Sequence, residues 1–328
     1  MVEKITLGKA LNHGLRRSLE SDSKVVIMGE DVGKLGGVFR ITDGLQKDFG
    51  EDRVIDTPLA EAGIVGTAVG LAIRGYRPVC EIQFDGFVFP AYNQIVAQVA
   101  KMYFRSLGNV RLPIVIRIPY GGGIGAVEHH SESPEAYFAH TPGLKVVTCS
   151  NPADAYVMIQ QAIASDDPIV FFEPKRRYWE KGDVDLDAGL AGAYPLHASR
   201  VVREGSDATV IAYGPMVRVA LDAAAAAEED GRSLEVIDLR TLSPLDLGPV
   251  YDSVRRTGRA VVVHEAPGNL GMGSEIAARI TEECFYSLEA PVLRVTGYDT
   301  PYPAARVEEE YLPDLDRVLD AVDRSFGW

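Results

Sequence analysis

The chain has 328 residues, with 47 acidic against 33 basic side chains and a net charge of −14. That excess of negative charge argues against general binding to nucleic acid or to anionic membranes. The length suffices for two domains with good cores, and 46% hydrophobic with 24% charged residues is ordinary globular composition.

The N-terminus, Met1 to Thr6, reads as neither a signal nor a transit peptide, and no apolar run reaches membrane-spanning length. A helix is predicted over 6–19 and a buried strand over 25–28. Next comes Asp56-Thr57-Pro58-Leu59-Ala60-Glu61, which opens a helix expected over 59–74. Thr57 suits an N-cap and Pro58 a first helical position. Glu61 falls one residue late for a capping box. It leads a helix almost free of charge, so it is either a first-turn acid favoured by the helix dipole or a buried carboxyl with a partner. Gly63, Gly66 and Gly70 share one face of that helix, which implies a close backbone neighbour inside the domain or in another subunit.

A strand over 79–84 follows, then Phe84, Phe87 and Phe89 near its end. These aromatics fill a core or form a stacking platform for a heterocycle. A helix is expected over 90–106 and a strand over 114–118. The glycine-rich run Gly121-Gly122-Gly123-Ile124-Gly125 fits neither dinucleotide nor P-loop spacing, so nucleotide binding is rejected. His129 and His130 come next, before a helix start at Ser133-Pro134. In an extended chain the two rings point to opposite sides, so one enters a site and the other faces solvent, unless both are surface histidines. Strands over 145–149 and 169–172 flank a helix over 152–164. The alternation implies a mostly parallel sheet covered by helices.

From 176 to 203 the residues are charged and aperiodic, which reads as a linker. Strands over 208–212, 234–237, 260–263 and 292–295 then alternate with helices over 216–229, 247–256, 273–284 and 315–326. His264-Glu265-Ala266-Pro267 closes the best strand of this second half and is either a site or a polar strand end. The proline-rich turn 297–303 reads as structural or interfacial. Cys80, Cys149 and Cys284 are scattered through apolar or strand-like runs, which fits reduced thiols in a cytoplasmic protein, and no spacing suits zinc.

Several phrases occur in a fixed order: Gly29-Glu30-Asp31-Val32, Asp56-Thr57-Pro58-Leu59-Ala60-Glu61, Glu81-Ile82-Gln83-Phe84, His130-Ser131-Glu132-Ser133-Pro134-Glu135-Ala136, Phe172-Glu173-Pro174-Lys175 and His264-Glu265-Ala266-Pro267. Together they resemble the beta subunits of thiamine-diphosphate-dependent 2-oxoacid dehydrogenases, over nearly the whole chain. Gln83-Phe84, Ser133-Pro134-Glu135-Ala136, Phe172-Glu173-Pro174-Lys175 and Gly297-Tyr298-Asp299-Thr300-Pro301 look closer to the branched-chain enzymes than to pyruvate dehydrogenase.

The resemblance implies an α/β, transketolase-like fold of two domains, each a mostly parallel sheet covered by helices. A pyrimidine-binding domain would span 1–175, a linker 176–203 and a transketolase C-terminal domain 204–328. It implies that Glu61 activates the cofactor through its aminopyrimidine, that Phe87 lies against that ring, and that His130 handles the substrate carboxylate or the acyl-transfer step. His129 has no counterpart. A structural potassium would sit on backbone carbonyls of Leu112, Ile114, Val115, Ala162, Ser165 and Asp167. The family holds the diphosphate and magnesium with a G-D-G motif followed by Asn, which this sequence lacks. The implied partner is therefore an alpha subunit, in an α2β2 heterotetramer that passes an acyl unit to a lipoyl-bearing acyltransferase core. The implied activity is oxidative decarboxylation of branched-chain 2-oxoacids. Pyruvate or acetoin as substrate, and a non-catalytic scaffold, are the alternatives.

Overall fold

A computed structural model describes all 328 residues. In chain order the first half runs β1 (Val2–Thr6), α1 (Leu7–Ser21), β2 (Val25–Gly29), α2 (Leu45–Phe49), β3 (Val54–Asp56), α3 (Glu61–Ile73), β4 (Arg77–Glu81), α4 (Met102–Arg105), β5 (Val115–Tyr120), α5 (Glu135–Ala139), β6 (Lys145–Thr148), α6 (Pro152–Ala164), β7 (Ile169–Pro174) and β8 (Lys181–Asp185). The second half continues β9 (Arg200–Arg203), β10 (Ala208–Ala212), α7 (Met216–Glu229), β11 (Leu234–Asp238), β12 (Thr241–Ser243), α8 (Gly248–Thr257), β13 (Ala260–Pro267), α9 (Met272–Cys284), β14 (Leu293–Gly297), α10 (Glu308–Tyr311) and α11 (Leu315–Ser325).

Two mostly parallel sheets result. The first has seven strands in the order β12-β6-β7-β5-β4-β2-β3, and the second has five in the order β14-β13-β10-β11-β9. Strands β2, β5 and β7 are buried along their whole length, as their β-branched and aromatic runs require of a sheet covered on both faces. Helix α1 starts where the Thr6 hydroxyl accepts the Lys9 N–H, and α6 where the Asn151 side chain accepts the Asp154 N–H. The two helices pack together, and Gly14 leaves no room for a Cβ against Ile159.

One apolar cluster of 36 residues runs from Met28, Ile64 and Ile118 in the first half to Ile237, Val262 and Ile276 in the second. The halves therefore share a core. Strand β12 strengthens the link. It belongs to the second half by sequence, yet it pairs antiparallel with β6 at the edge of the first sheet.

Four local expectations are corrected. The segment 176–203 is not unstructured: β8 lies within it and pairs antiparallel with β1, Val2 opposite Asp185. Helix α3 begins at Glu61 rather than near Leu59: Thr57 continues the pairing of β3 with β2, its N–H on the Gly29 carbonyl, and the chain enters the helix only after Ala60, whose φ is −164°. The helix expected over 90–106 is broken into a 3-10 turn at Asp85–Ala91, a wider turn at Gln94–Val99 and the short α4. In the wider turn the Ala100 N–H reaches back to the Ile95 carbonyl, where the Gly143 backbone presses against Ala100. Lastly, the segment at His129 and His130 is a 3-10 turn, Glu128–His130, not extended chain.

Candidate active site

The parallel strands β3, β2, β4 and β5 are neighbours, and their carboxyl ends deliver the segments that carry Glu61, Glu30, Phe87 and His130. This is where an open α/β sheet binds ligands. Glu61 is the first residue of α3 and only 6% exposed. Ala60 precedes it without a capping side chain, so this helix end keeps unsatisfied N–H groups. Glu30 lies beside it. Burial raises the Glu30 carboxyl pKa, and the Glu61 charge raises it further. Glu30 Oε1 and Thr57 Oγ1 are both buried without a hydrogen-bond partner.

The glycine face of α3 is open. A Cβ at Gly63 or Gly66 would touch only Ala60 or Gln94, and one at Gly70 would touch nothing within 4 Å. Packing inside the domain therefore does not account for the three glycines. The N-terminal approach is open too, with Leu59 80% exposed.

Helix α3 packs on the 85–91 turn, which carries Phe87. The His130 ring lies 5.1 Å from Phe87, nearly perpendicular to it, and 4.1 Å from Phe84. Sequence reasoning assigned roles to two side chains that the fold brings together; Phe84, read there only as one of three core or stacking aromatics, packs closer. His129 is nearby too, its ring 4.3 Å from His130 and 6.0 Å from Phe87. The opposite orientation expected of the two histidines does not occur, because the Ser131 N–H closes a tight turn onto Glu128 O. Exposure still separates them: the His129 side chain is 51% exposed, whereas His130 is half-buried. Burial lowers the His130 pKa, with His129 and Lys175 adding to the effect. Its Nδ1 and the Ser131 hydroxyl are buried without partners.

Beneath this turn lies an ion pair buried on both sides, Lys175 with Asp85. Asp85 also accepts the Glu132 N–H at 2.9 Å, and the Lys175 ammonium lies 5.6 Å from the Phe84 ring centroid. One layer deeper, the buried Arg117 guanidinium donates to both oxygens of Glu173, at 2.6 and 2.9 Å, and to Glu81 at 2.5 Å. Fixed charges thus brace the ends of β4, β5 and β7.

The other candidates are structural. His264 has Nδ1 on the Ala266 carbonyl at 3.0 Å and accepts the Gly273 N–H on Nε2 at 3.1 Å. That pair of contacts fixes one neutral tautomer, and burial lowers the pKa to about 4. The glycine loop turns its amides to carboxylates of the second domain, not to a phosphate. Around the expected potassium stretch, the Arg77 guanidinium donates to the carbonyls of Ile163 and Ser165. The Ile114 carbonyl accepts the Ile169 N–H, and that of Ala162 accepts the Ser165 N–H. The Asp166 side chain pairs with Arg77 and Arg111, and that of Asp167 with Lys145. No cluster of three or more His, Cys, Asp or Glu side chains offers a side-chain metal site.

The cysteines are free and buried, and no helix is long and apolar enough to cross a membrane. Between the domains lies a cavity of about 950 Å³, lined by Ser131, Tyr137, Glu265, Met272 and Tyr302 among others. Neither Glu61 nor Phe87 lines it.

Comparison with known proteins bears on this arrangement. Residues 3–180 match the family model "Transketolase, pyrimidine binding domain", and 197–318 match "Transketolase, C-terminal domain". A relative from Leifsonia xyli subsp. xyli, named pyruvate dehydrogenase E1 component subunit beta, is 64% identical over 100% of this chain and 96% of its own. One from Mycobacterium tuberculosis, named 3-methyl-2-oxobutanoate dehydrogenase subunit beta, is 52% identical over 99% of this chain and 92% of its own. A solved structure titled "Split gene transketolase, inactive beta4 tetramer" superposes with a TM-score of 0.81, at 22% identity and 99% coverage of both chains, a likeness of fold.

Proposed function

The chain belongs to the beta subunits of the thiamine-diphosphate-dependent 2-oxoacid dehydrogenases (E1), and from that premise we propose that it supplies the pyrimidine side of a shared active site whose substrate is pyruvate. The observation that carries the reading is the set of unpartnered buried polar atoms around Glu61 and His130, at strand ends next to an open glycine face. Buried polar groups without partners cost stability, so a bound group that satisfies them is the economical explanation.

Thiamine diphosphate, when bound, supplies the carbon nucleophile for the 2-oxo group and the electron sink for decarboxylation. The residues present suit its aminopyrimidine. The Glu61 carboxyl would share a proton with a ring nitrogen, and Glu30 beside it would favour a single shared proton. Phe87 would offer an apolar face to the ring. His130, its pKa lowered by burial, would hydrogen-bond the substrate carboxylate or move a proton during acyl transfer. The diphosphate and its magnesium fall to the alpha partner that a beta subunit of E1 implies. The assembly proposed is α2β2, serving a lipoyl-bearing acyltransferase core in the cytoplasm. Potassium stays a proposal from resemblance alone; a melting temperature equal in potassium and sodium salts would remove it.

For the substrate, the 64% relative supports pyruvate more strongly than the 52% relative supports a branched 2-oxoacid. The phrases Gln83-Phe84 and Phe172-Glu173-Pro174-Lys175 favour 3-methyl-2-oxobutanoate as the second reading. An apolar pocket gains about 0.8 kcal/mol per buried methylene, so the two substrates should separate clearly. The deciding experiment is kcat/KM for both acids on the complex reconstituted with its alpha chain. A higher value for 3-methyl-2-oxobutanoate overturns the pyruvate reading and leaves the site roles intact.

A further inference from the structure

The loop that carries His130 is held from outside its own domain. Its base is closed where the Gly121 N–H donates to Glu132 O at 3.0 Å. Between those points, residues 121–125 offer almost no side chain, so only backbone contacts can fix them. The Gly122 N–H donates to Glu265 Oε2 at 3.1 Å. The Gly123 N–H is shared between the Tyr302 hydroxyl, at 3.2 Å, and Glu308 Oε2, at 3.1 Å. The Gly125 N–H donates to Glu308 Oε1 at 2.8 Å, and the Tyr302 hydroxyl donates to Glu308 Oε2 at 2.9 Å. Every one of these acceptors lies in the second domain. Glu265, Tyr302 and Glu308 are all buried.

The backbone is shaped for this clasp. Gly121, Gly123 and Gly125 have φ of 82°, 80° and 72°, which turns successive N–H groups into an anion-binding concavity. Gly122 has no room for a Cβ against the Tyr302 hydroxyl. Docking of the domains does not need these carboxylates, because the shared core and β12 already join them. Burying two carboxylates to bind glycine amides carries a desolvation cost that a mere spacer would avoid. What the clasp does is set where residues 127–130 can lie, and the far flank of that turn rests on Phe84 and Phe87.

We propose that Glu308, with Tyr302 and Glu265, positions His130, so that the second domain sets the place of a side chain working in the first domain's site. This rests on the role given to His130 under Proposed function. Glu308→Gln keeps the shape but turns an NH2 toward one of the loop donors. In the reconstituted complex, with thiamine diphosphate and magnesium, it should lower kcat roughly tenfold or more with KM little changed, the scale of a small misplacement at a reacting centre. Proton exchange at the thiazolium carbon, which reports Glu61, should keep its native rate.

The decisive measurement is a double-mutant cycle with His130→Ala. Glu308→Gln should cost nothing further once His130 is gone. Equal losses in both backgrounds, an unchanged kcat for Glu308→Gln alone, or a parallel loss of proton exchange overturns the positioning role. A wild-type kcat for His130→Ala overturns the reading of His130 itself, and is seen separately. Should Glu308→Gln fail to assemble, Tyr302→Phe removes one hydroxyl from the same clasp and runs through the same cycle.

Discussion

The imidazole of His130 rests on the ring of Phe84, with centroids 4.1 Å apart and planes inclined by 49°. Phe84 itself meets Phe39 and Phe87 edge-on and lies over the Lys175 ammonium. An apparently ordinary core aromatic is therefore the floor under the histidine. Phe84→Leu keeps much of the volume and removes the flat support. It should lower kcat roughly tenfold while proton exchange on the cofactor persists; steady-state rates beside exchange rates check this.

His130→Ala should reduce decarboxylation or acyl transfer by about two orders of magnitude or more, the scale of acid-base groups. His129→Ala should stay within a few-fold of wild type. The warrant is now exposure, since both rings sit at the same turn. Assays with an artificial electron acceptor and with free lipoamide separate the two steps. A larger loss from His129→Ala would reverse the assignment.

Glu61→Gln should assemble with the alpha partner and lose most activity. The amide preserves shape but cannot share a proton in the same way. Exchange of the thiazolium proton in the assembled complex is the readout. A native exchange rate would return Glu61 to the role of a helix-end acid.

Lys175→Met should destabilise the protein by about 3–5 kcal/mol, because it leaves the Asp85 carboxylate buried and unpaired. Replacing both partners, as Asp85→Leu with Lys175→Met, should cost less than the lysine change alone. Urea unfolding of the three variants checks the order. An equal or greater cost for the double variant would mean that the pair contributes more than mutual neutralisation.

Burial lifts the Glu135 carboxyl pKa from 4.5 to about 8, although the Tyr213 hydroxyl donates to it. Between those values the folded state holds a proton that the unfolded chain has released. The contribution is therefore fully present below pH 4.5 and is lost as pH rises toward 8. Glu265, lifted to about 7, behaves alike, whereas His264, lowered to about 4, acts in the opposite sense. The difference between wild type and Glu135→Gln isolates one group. The wild type should lose stability relative to the variant from pH 5 to pH 8, by an amount on the order of a few kcal/mol. Urea midpoints across that range decide it, and a flat difference would mean that Glu135 does not titrate there.

Much of the fold was legible because β2, β5 and β7 are mostly apolar runs spaced by helical segments. What escaped depends on pairing across the sequence. Strand β8 reads Lys181-Gly182-Asp183-Val184-Asp185, a charged run whose only strand partner is β1. Thr57 and Pro58 imitate a helix start, but Thr57 continues the pairing of β3 and the helix starts only after Ala60. At the candidate site, Glu61, Phe87 and His130 were named through motifs. Glu30 sat in a quoted phrase without attracting a role, and Phe84 was read only as one of three core or stacking aromatics, although both follow strands. Glu308 could not have been found: Glu308-Glu309-Glu310 looks like a solvated acidic run, and only the folded loop shows what its first member holds.

Strand β12 has a consequence for how the protein is made. On the ribosome the segments from β2 to β7 emerge first, but the edge of their sheet at β6 is completed by Thr241–Ser243, nearly seventy residues after β7 ends. Until that stretch leaves the exit tunnel, the nascent chain carries a bare strand edge and an apolar surface that only the second half covers. A gene fragment stopped at residue 180 would freeze the chain in that state, so it should be recovered as aggregate or bound to chaperones.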